Sequence, residues 1–292
     1  MFKCDVIVTG AAGFIGRNLC EYLANRGVSV LGIDKRDVTA AYDFVRHDLT
    51  QPLAQSIEAG ACVHLASAVG GFLYNSSEQA GMLHYNAAIN ACVADMCKRA
   101  GCGHVVFFSS INVFESDPVF THEPIATLPA LTPYAESKAR GERLFAGEFA
   151  NFVALRPTNV FGKDQARTHD LVGESHVIPD LIKKIQDSDV VRVLGNGTQR
   201  RNFVHVSDVV SFAAQAITFG GQRFFNLRSD LTITIAALAA DLAKFLRRDV
   251  KFEFEPSYMQ FETFQIRDFD LAPALNMGWA PRIHSIAAGL RI

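Results

Sequence analysis

Apolar residues follow two rhythms along the first half of this chain. Short, nearly continuous apolar runs at 4–9, 28–33, 43–46, 62–65, 104–109 and 152–156 have the length and β-branched content of buried strands. Between them, stretches near 14–26, 51–58, 80–100 and 134–149 place apolar residues three and four apart, the spacing of one helical face. Regular alternation of the two predicts an α/β fold, a doubly wound parallel sheet covered by helices on both faces. Its crossovers should be right-handed. Beyond about residue 160 the alternation breaks, punctuated by Pro157, Gly162, Pro179, Gly195 and Gly197. Helices at 177–187, 207–219 and 234–247 and strands at 190–193 and 250–254 are predicted there.

The first strand runs directly into Gly10-Ala11-Ala12-Gly13-Phe14-Ile15-Gly16, and a helical pattern follows. Glycines at this spacing permit a tight turn, let a pyrophosphate approach the backbone and let the helix pack close to the strand. Free N–H groups at the helix start then face the phosphates. The next strand ends at Asp34, about 20 residues on, where a carboxylate can hold the ribose hydroxyls of a dinucleotide. These features predict a Rossmann-type dinucleotide-binding domain over residues 1–161, to which the chain returns near 200–226. Residues 162–199 and 227–292 would form a smaller α/β substrate lobe, with the substrate in the cleft between. Asp34 favours NAD(H), because its charge repels a 2′-phosphate. Lys35, Arg36 and Arg17 are cations that would accept that phosphate, which leaves NADP(H) as the alternative.

Composition narrows the function classes. With 292 residues and 49% hydrophobic content the chain can bury a large core. A formal net charge of -2 gives no footprint for nucleic acid. No apolar run reaches the length of a membrane span, and no basic start precedes an apolar segment, so neither membrane insertion nor secretion is expected. The six cysteines show no C-x-x-C spacing and lie in apolar segments, which fits a reduced cytoplasmic setting. The nine histidines are scattered without metal-ligand spacing, and no metal is expected. Apolar positions in the helices near 80–100 and 134–149 invite a homodimer across a two-fold axis, with cover inside the monomer as the alternative.

Tyr134-Ala135-Glu136-Ser137-Lys138 sets a phenol and an ammonium one helical turn apart. A neighbouring cation stabilises the phenolate and brings its titration toward neutrality, so that the hydroxyl can exchange a proton with a substrate oxygen. Val105-Val106-Phe107-Phe108-Ser109-Ser110 reads as a strand with hydroxyls at its C-terminal end, where a parallel sheet lines its ligand crevice. Ser110 can there bond the same oxygen.

Together Gly10–Gly16, Asp34, Ser110, Tyr134 and Lys138 resemble the extended short-chain dehydrogenase/reductases, in their nucleotide-sugar epimerase/dehydratase branch. The resemblance runs nearly the full length. It implies adenine contacts from Asp48 and Leu49, a loop beside the cofactor from Leu65-Ala66-Ser67, a contribution from Asn86, and a nicotinamide-side segment beginning Arg156-Pro157. It also implies that Asn159 faces the sugar and that Arg201 grips the diphosphate of a nucleotide-diphosphate sugar, for which a guanidinium is suited. Dehydratases of the branch carry Asp and Glu after the hydroxyl residue. Here Ile111 and Asn112 stand in those places and cannot ionise.

Val69-Gly70-Gly71 and Ser175-His176-Val177-Ile178-Pro179 are similar to segments of the GDP-fucose synthase-like 4-keto-6-deoxysugar reductases, where the His is catalytic. Their second catalytic group, a Cys, corresponds to Asn112, and an amide neither gives nor takes a proton near neutrality. The resemblance implies reduction of a 4-keto-(6-deoxy)sugar nucleotide at C4, with Ser110, Tyr134, Lys138 and His176 as catalytic residues. A nucleotide-sugar 4-epimerase is the alternative within the fold, and a non-catalytic dinucleotide sensor or scaffold the alternative outside it. The segment 256–267, with Tyr258, Phe261 and Phe264, would lie near the base.

Overall fold

The computed structural model describes residues 1–71, 74–75, 79–114, 132–166, 175–256 and 269–292. The expected contact of 257–267 with a base lies outside them. Twelve strands are numbered along the described chain. They are β1 (Phe2–Thr9), β2 (Val30–Asp34), β3 (Asp43–Arg46), β4 (Ile57–His64), β5 (His104–Phe108), β6 (Phe152–Pro157), β7 (Asn159–Phe161), β8 (Val190–Leu194), β9 (Arg200–His205), β10 (Gln222–Leu227), β11 (Thr232–Thr234) and β12 (Lys251–Glu255). The helices are α1 (Phe14–Ala24), α2 (Gln79–Ala100), α3 (Pro133–Glu148), α4 (Val177–Asp187), α5 (Val206–Ala216), α6 (Ile235–Leu246), α7 (Ala272–Asn276) and α8 (Ile286–Gly289).

Seven strands form one sheet in the order β10-β6-β5-β4-β1-β2-β3, every neighbouring pair parallel. The apolar runs are continuous because both faces are covered. Ile7, Leu31, Cys62, Val105 and Phe107 pack beneath α2 and α3, while Val6, Val8, Val63, Val106 and Phe108 pack against α1 and α5. The order of winding reverses between β1 and β4, and ligands of such sheets bind beyond the strand C-termini at that point. Register brings Thr9 at the end of β1 level with Ile33 on one side and His64 on the other. The glycine turn, Asp34 and the chain after His64 therefore emerge side by side. A third core, including Phe161, Leu181, Val193, Leu238, Leu242 and Ile286, unites α4, α6, α8 and the small strands of the C-terminal part.

One expectation is corrected. Residues 51–56 form no helix, and β4 begins at Ile57. Leu53 and Ile57 have helical spacing by coincidence. Leu53 anchors a loop, whereas Ile57, Ala59 and Ala61 are the buried alternate positions of a strand paired with β1 from Phe2 onward. The stretch around α7 packs on the core between the sheet, α1 and α5, where Trp279 sits edge-on to Phe212 with 5.5 Å between ring centroids and donates its Nε1–H to the Arg228 carbonyl. Strands β7, β9, β10 and β11 were not individually predicted, and β10 completes the large sheet.

Candidate functional site

A cavity of about 780 Å³ opens at the C-terminal ends of the sheet and runs from the glycine turn to α4 and β8, a size typical of a small-molecule site. Its first wall is the turn itself. Gly10 has φ 71°, and a Cβ there would lie 2.7 Å from the Ala66 nitrogen. A Cβ on Gly16 would overlap the Gly10 carbonyl oxygen. Gly13 caps α1 without a side-chain bond, and the first turn of α1 is free of acidic residues. Its N–H groups, with Phe14 and Ile15 beside them, thus face the cavity as an anion cradle. Asp34 is buried at the end of β2. Its Oδ2 accepts from Ala12 N at 3.1 Å and its Oδ1 from Arg36 N at 2.9 Å, with Arg36 Nε 3.5 Å away. Lys35 donates to the Tyr85 hydroxyl at 3.1 Å and Arg17 to the Asp164 carbonyl at 3.3 Å. The cradle and the acid fit a dinucleotide.

The next wall is the loop after β4, held by a network that sequence reading missed. His64 Nδ1 lies 2.6 Å from Thr9 Oγ1, and His64 Nε2 lies 3.0 Å from Asn90 Oδ1. Thr9 Oγ1 also accepts from Leu65 N and Ala66 N, at 3.2 and 3.3 Å. A lone Thr closing an apolar run was the only sequence signal for it. Leu65, Ala66, Ser67, Val69 and Gly70 line the cavity, as do Asp48 and Leu49. Gly70 exchanges bonds with the Asn75 amide. Asn86 does not line it. This residue is buried one layer behind, where its Oδ1 accepts from Ala68 N at 2.7 Å and its Nδ2 donates to Ser137 Oγ at 3.1 Å. It ties the loop to α3 and reaches the cavity only through Ala68.

The chemically active groups come from β5 and α3. Thr132 caps α3 by accepting from Ala135 N, and Pro133 opens the helix, so Tyr134 falls in the first turn at the cavity edge. Lys138, one turn on, is buried and donates to the Phe108 carbonyl at 2.9 Å, with its Nζ 5.7 Å from the Tyr134 ring centroid. Burial pulls its ammonium down to about 8, against the opposing pull of Glu142. Ser110 Oγ accepts from Asn112 N at 3.2 Å, which leaves its own proton to donate elsewhere. Ser109, also lining the cavity, has an Oγ with no hydrogen-bond partner among the described residues, and sequence reading assigned it no role.

At the far end Pro157, Asn159, His176, Val177 and Arg201 line the same cavity, together with Asn112. Asn159 Nδ2 donates to the Asn202 carbonyl at 2.9 Å, and Thr158 Oγ1 to Asn202 Oδ1 at 2.8 Å, fixing β7 against β9. His176 is the N-terminal flank of α4 and makes no side-chain cap bond. Among the described residues no cluster of three His, Cys, Asp or Glu could hold a metal ion. The arrangement can seat a dinucleotide on the glycine turn and exchange a proton with an oxygen placed among Ser110, Tyr134 and Lys138.

Comparisons with known proteins agree with this geometry. The profile of the NAD dependent epimerase/dehydratase family matches residues 6–227. A dTDP-4-dehydro-6-deoxy-D-allose reductase of a Streptomyces species is 26% identical over 277 residues, 86% of this chain and 84% of that one. The UDP-glucose 4-epimerase of Mycolicibacterium smegmatis is 26% identical over 311 aligned positions, 97% of this chain and 95% of its own. Among solved structures, MoeE5 in complex with UDP-glucose and NAD superposes with a TM-score of 0.81 at 26% identity, covering 98% of this chain and 96% of that one.

Proposed function

Because the chain belongs to the NAD-dependent epimerase/dehydratase family, we propose that it is an NAD(H)-dependent enzyme that reduces a 4-keto-(6-deoxy)sugar nucleotide at C4. Bound NADH supplies the hydride. Tyr134 gives its proton to the C4 oxygen, and Ser110 holds that oxygen with its free donor. Lys138 contacts the cofactor ribose and lowers the energy of the phenolate. Asp34 holds the adenosine ribose, and Gly10, Gly13 and Gly16 receive the pyrophosphate. In the C-terminal lobe Arg201 binds the diphosphate of the sugar nucleotide, with His176, Val177, Asn159 and Asn112 around the sugar. What carries the reading is one continuous cavity holding the glycine turn at one end, Arg201 at the other and the Ser110, Tyr134 and Lys138 set between them.

Ile111 and Asn112 do not ionise, which speaks against a dehydratase and against double epimerisation at C3 and C5, while a reductase and a 4-epimerase both work without an acid at those places. The test is cofactor stoichiometry on a panel of keto-sugar nucleotides. A reductase consumes one NADH per product and introduces no solvent deuterium at C3 or C5. On a companion panel of 4-hydroxy sugar nucleotides, interconversion of C4 epimers with no net NADH loss would identify a 4-epimerase instead, and overturn this reading. A second copy pairs through the outer faces of α2 and α3, which light scattering would detect as twice the 32.0 kDa chain mass. The compartment is the cytoplasm, in keeping with six free thiols and with the lack, among the described residues, of any helix long and apolar enough to cross a membrane.

A further inference from the structure

Behind α3, outside the cavity, lies a wholly buried ion pair. Arg156 Nε donates to Glu142 Oε1 at 2.8 Å and Arg156 Nη2 to Glu142 Oε2 at 2.6 Å, and both side chains are fully excluded from solvent. The guanidinium carbon lies 4.9 Å from the Phe114 ring centroid and 5.1 Å from that of Phe224. Desolvating two charges is costly, and well-packed apolar residues often serve stability as well or better. Stability therefore gives no reason for this pair.

Its placement does. Glu142 stands on α3 one turn beyond Lys138 and two beyond Tyr134, while Arg156 is the β6 residue directly before Pro157. We infer that Glu142 and Arg156 are positioning residues for the Tyr134–Lys138 pair. The bidentate contact pins the helix carrying that pair to the strand that leads into the nicotinamide side of the cavity. The Glu142 carboxylate supplies the counter-charge that keeps the buried Lys138 an ammonium.

The groups around Lys138 make the counter-charge necessary. On its own helix it meets Tyr134 and Glu142. From β4 it faces His64, held neutral by burial, and from β5 the Phe108 carbonyl accepts a hydrogen bond from it. From β6 the Arg156 guanidinium is bound at Glu142, and of the two charges it is the carboxylate that acts on Lys138. Glu142 is the carboxylate that opposes the burial of the ammonium. A bidentate guanidinium holds a carboxylate in one plane and one direction, which a single ammonium contact does not.

The inference rests on the proposed chemistry at Tyr134, so one arm of its test needs no turnover. Three variants of the full chain separate the roles: Glu142→Gln, Arg156→Lys, and the double Glu142→Met/Arg156→Met. For each, melting temperature, the pH dependence of kcat and KM, and the pH dependence of NADH affinity by fluorescence titration are measured. Without the carboxylate the ammonium loses its proton at lower pH. The double variant should melt within a few degrees of the parent, since an apolar pair tolerates the site. The high-pH limb of kcat and of NADH affinity should move down by about half a pH unit or more. At a pH near 8, kcat should fall about two- to threefold, as a half-unit shift requires, while KM for the sugar nucleotide stays unchanged. Glu142→Gln should show the same shift even if it melts lower. Arg156→Lys keeps both charges and loses the fork, so its limb should stay in place while kcat falls.

The inference is overturned if the double variant or Glu142→Gln keeps the parental limb in both measurements. It is equally overturned if Arg156→Lys moves the limb as far as the double variant does. If the parent turns over no sugar nucleotide, the proposed reaction fails, and the NADH arm alone decides the role of the pair.

Discussion

Acid should destabilise this protein through one histidine. His64 is fully enclosed at the end of β4, with Thr9 Oγ1 2.6 Å from Nδ1 and Asn90 Oδ1 3.0 Å from Nε2. A carboxamide oxygen only accepts, so Nε2 carries the ring proton and Nδ1 accepts from the Thr9 hydroxyl. The neutral ring is thus satisfied at both nitrogens. A second proton would put two donors face to face, because Thr9 Oγ1 already serves Leu65 N and Ala66 N. Burial foremost, and the Lys138 ammonium after it, push the imidazole from 6.5 down to about 3, although the Asn90 bond works against them.

In the unfolded chain the ring titrates near its ordinary value of about 6.5. Above that pH neither state takes a proton and the full stability is present. Below it only the unfolded chain is protonated, so stability falls as pH drops from 6.5 toward 3. The folding equilibrium loses about a factor of ten per pH unit across that window, about 2 kcal/mol by pH 5. The assay is urea unfolding at about pH 7.5 and about pH 5, for the parent and for His64→Gln. The parent should lose about 2 kcal/mol more than the variant between the two conditions. Equal losses in both proteins, or a His64 ring resonance that titrates near 6.5 in the folded state, would refute the reasoning.

Other expectations follow from single contacts. Thr9→Val keeps the shape but leaves His64 Nδ1 and Ala66 N without their partner, at about 1–3 kcal/mol each, and should lower both the melting temperature and NADH affinity. NADH affinity unchanged in that variant would remove the loop-anchoring role of Thr9. Gly16→Ala drives a methyl into the Gly10 carbonyl and should weaken NADH binding by about tenfold or more, read by fluorescence titration. Asp34→Asn keeps an acceptor for Ala12 N while removing the charge that opposes a 2′-phosphate, beside Arg36 and Lys35. The ratio of kcat/KM for NADPH over NADH should rise about tenfold, and a ratio that does not move would mean the acid plays no part in cofactor choice. Tyr134→Phe should reduce kcat by about a hundredfold or more with NADH affinity little changed, measured by stopped-assay turnover and titration.

Much of the architecture was legible before any coordinates. The apolar runs at β1, β2, β5 and β6 told of a sheet buried on both faces, because period-two burial on two faces leaves no polar positions. The glycines at 10, 13 and 16 and the acid at 34 were equally readable, since each answers a backbone or charge requirement local to its turn. The interval from Tyr134 to Lys138 is a property of helical geometry alone. Where reading failed, two structures shared one local pattern. Leu53 and Ile57 have helical spacing, yet they belong to a loop and a strand, and only pairing with β1 decides between them.

What the chain determined by itself was which face of each element is apolar, which turns are possible and which side chains lie a helical turn apart. Tertiary structure alone decided which distant groups meet. It set Thr9 against His64 and Asn90, moved Asn86 behind the cavity, turned Trp279 onto Phe212, and closed Arg156 on Glu142. The physical reason is range. Periodicity is written into neighbouring residues by backbone geometry, whereas the partner of a buried polar group depends on the register of elements far apart in sequence, which no local pattern encodes.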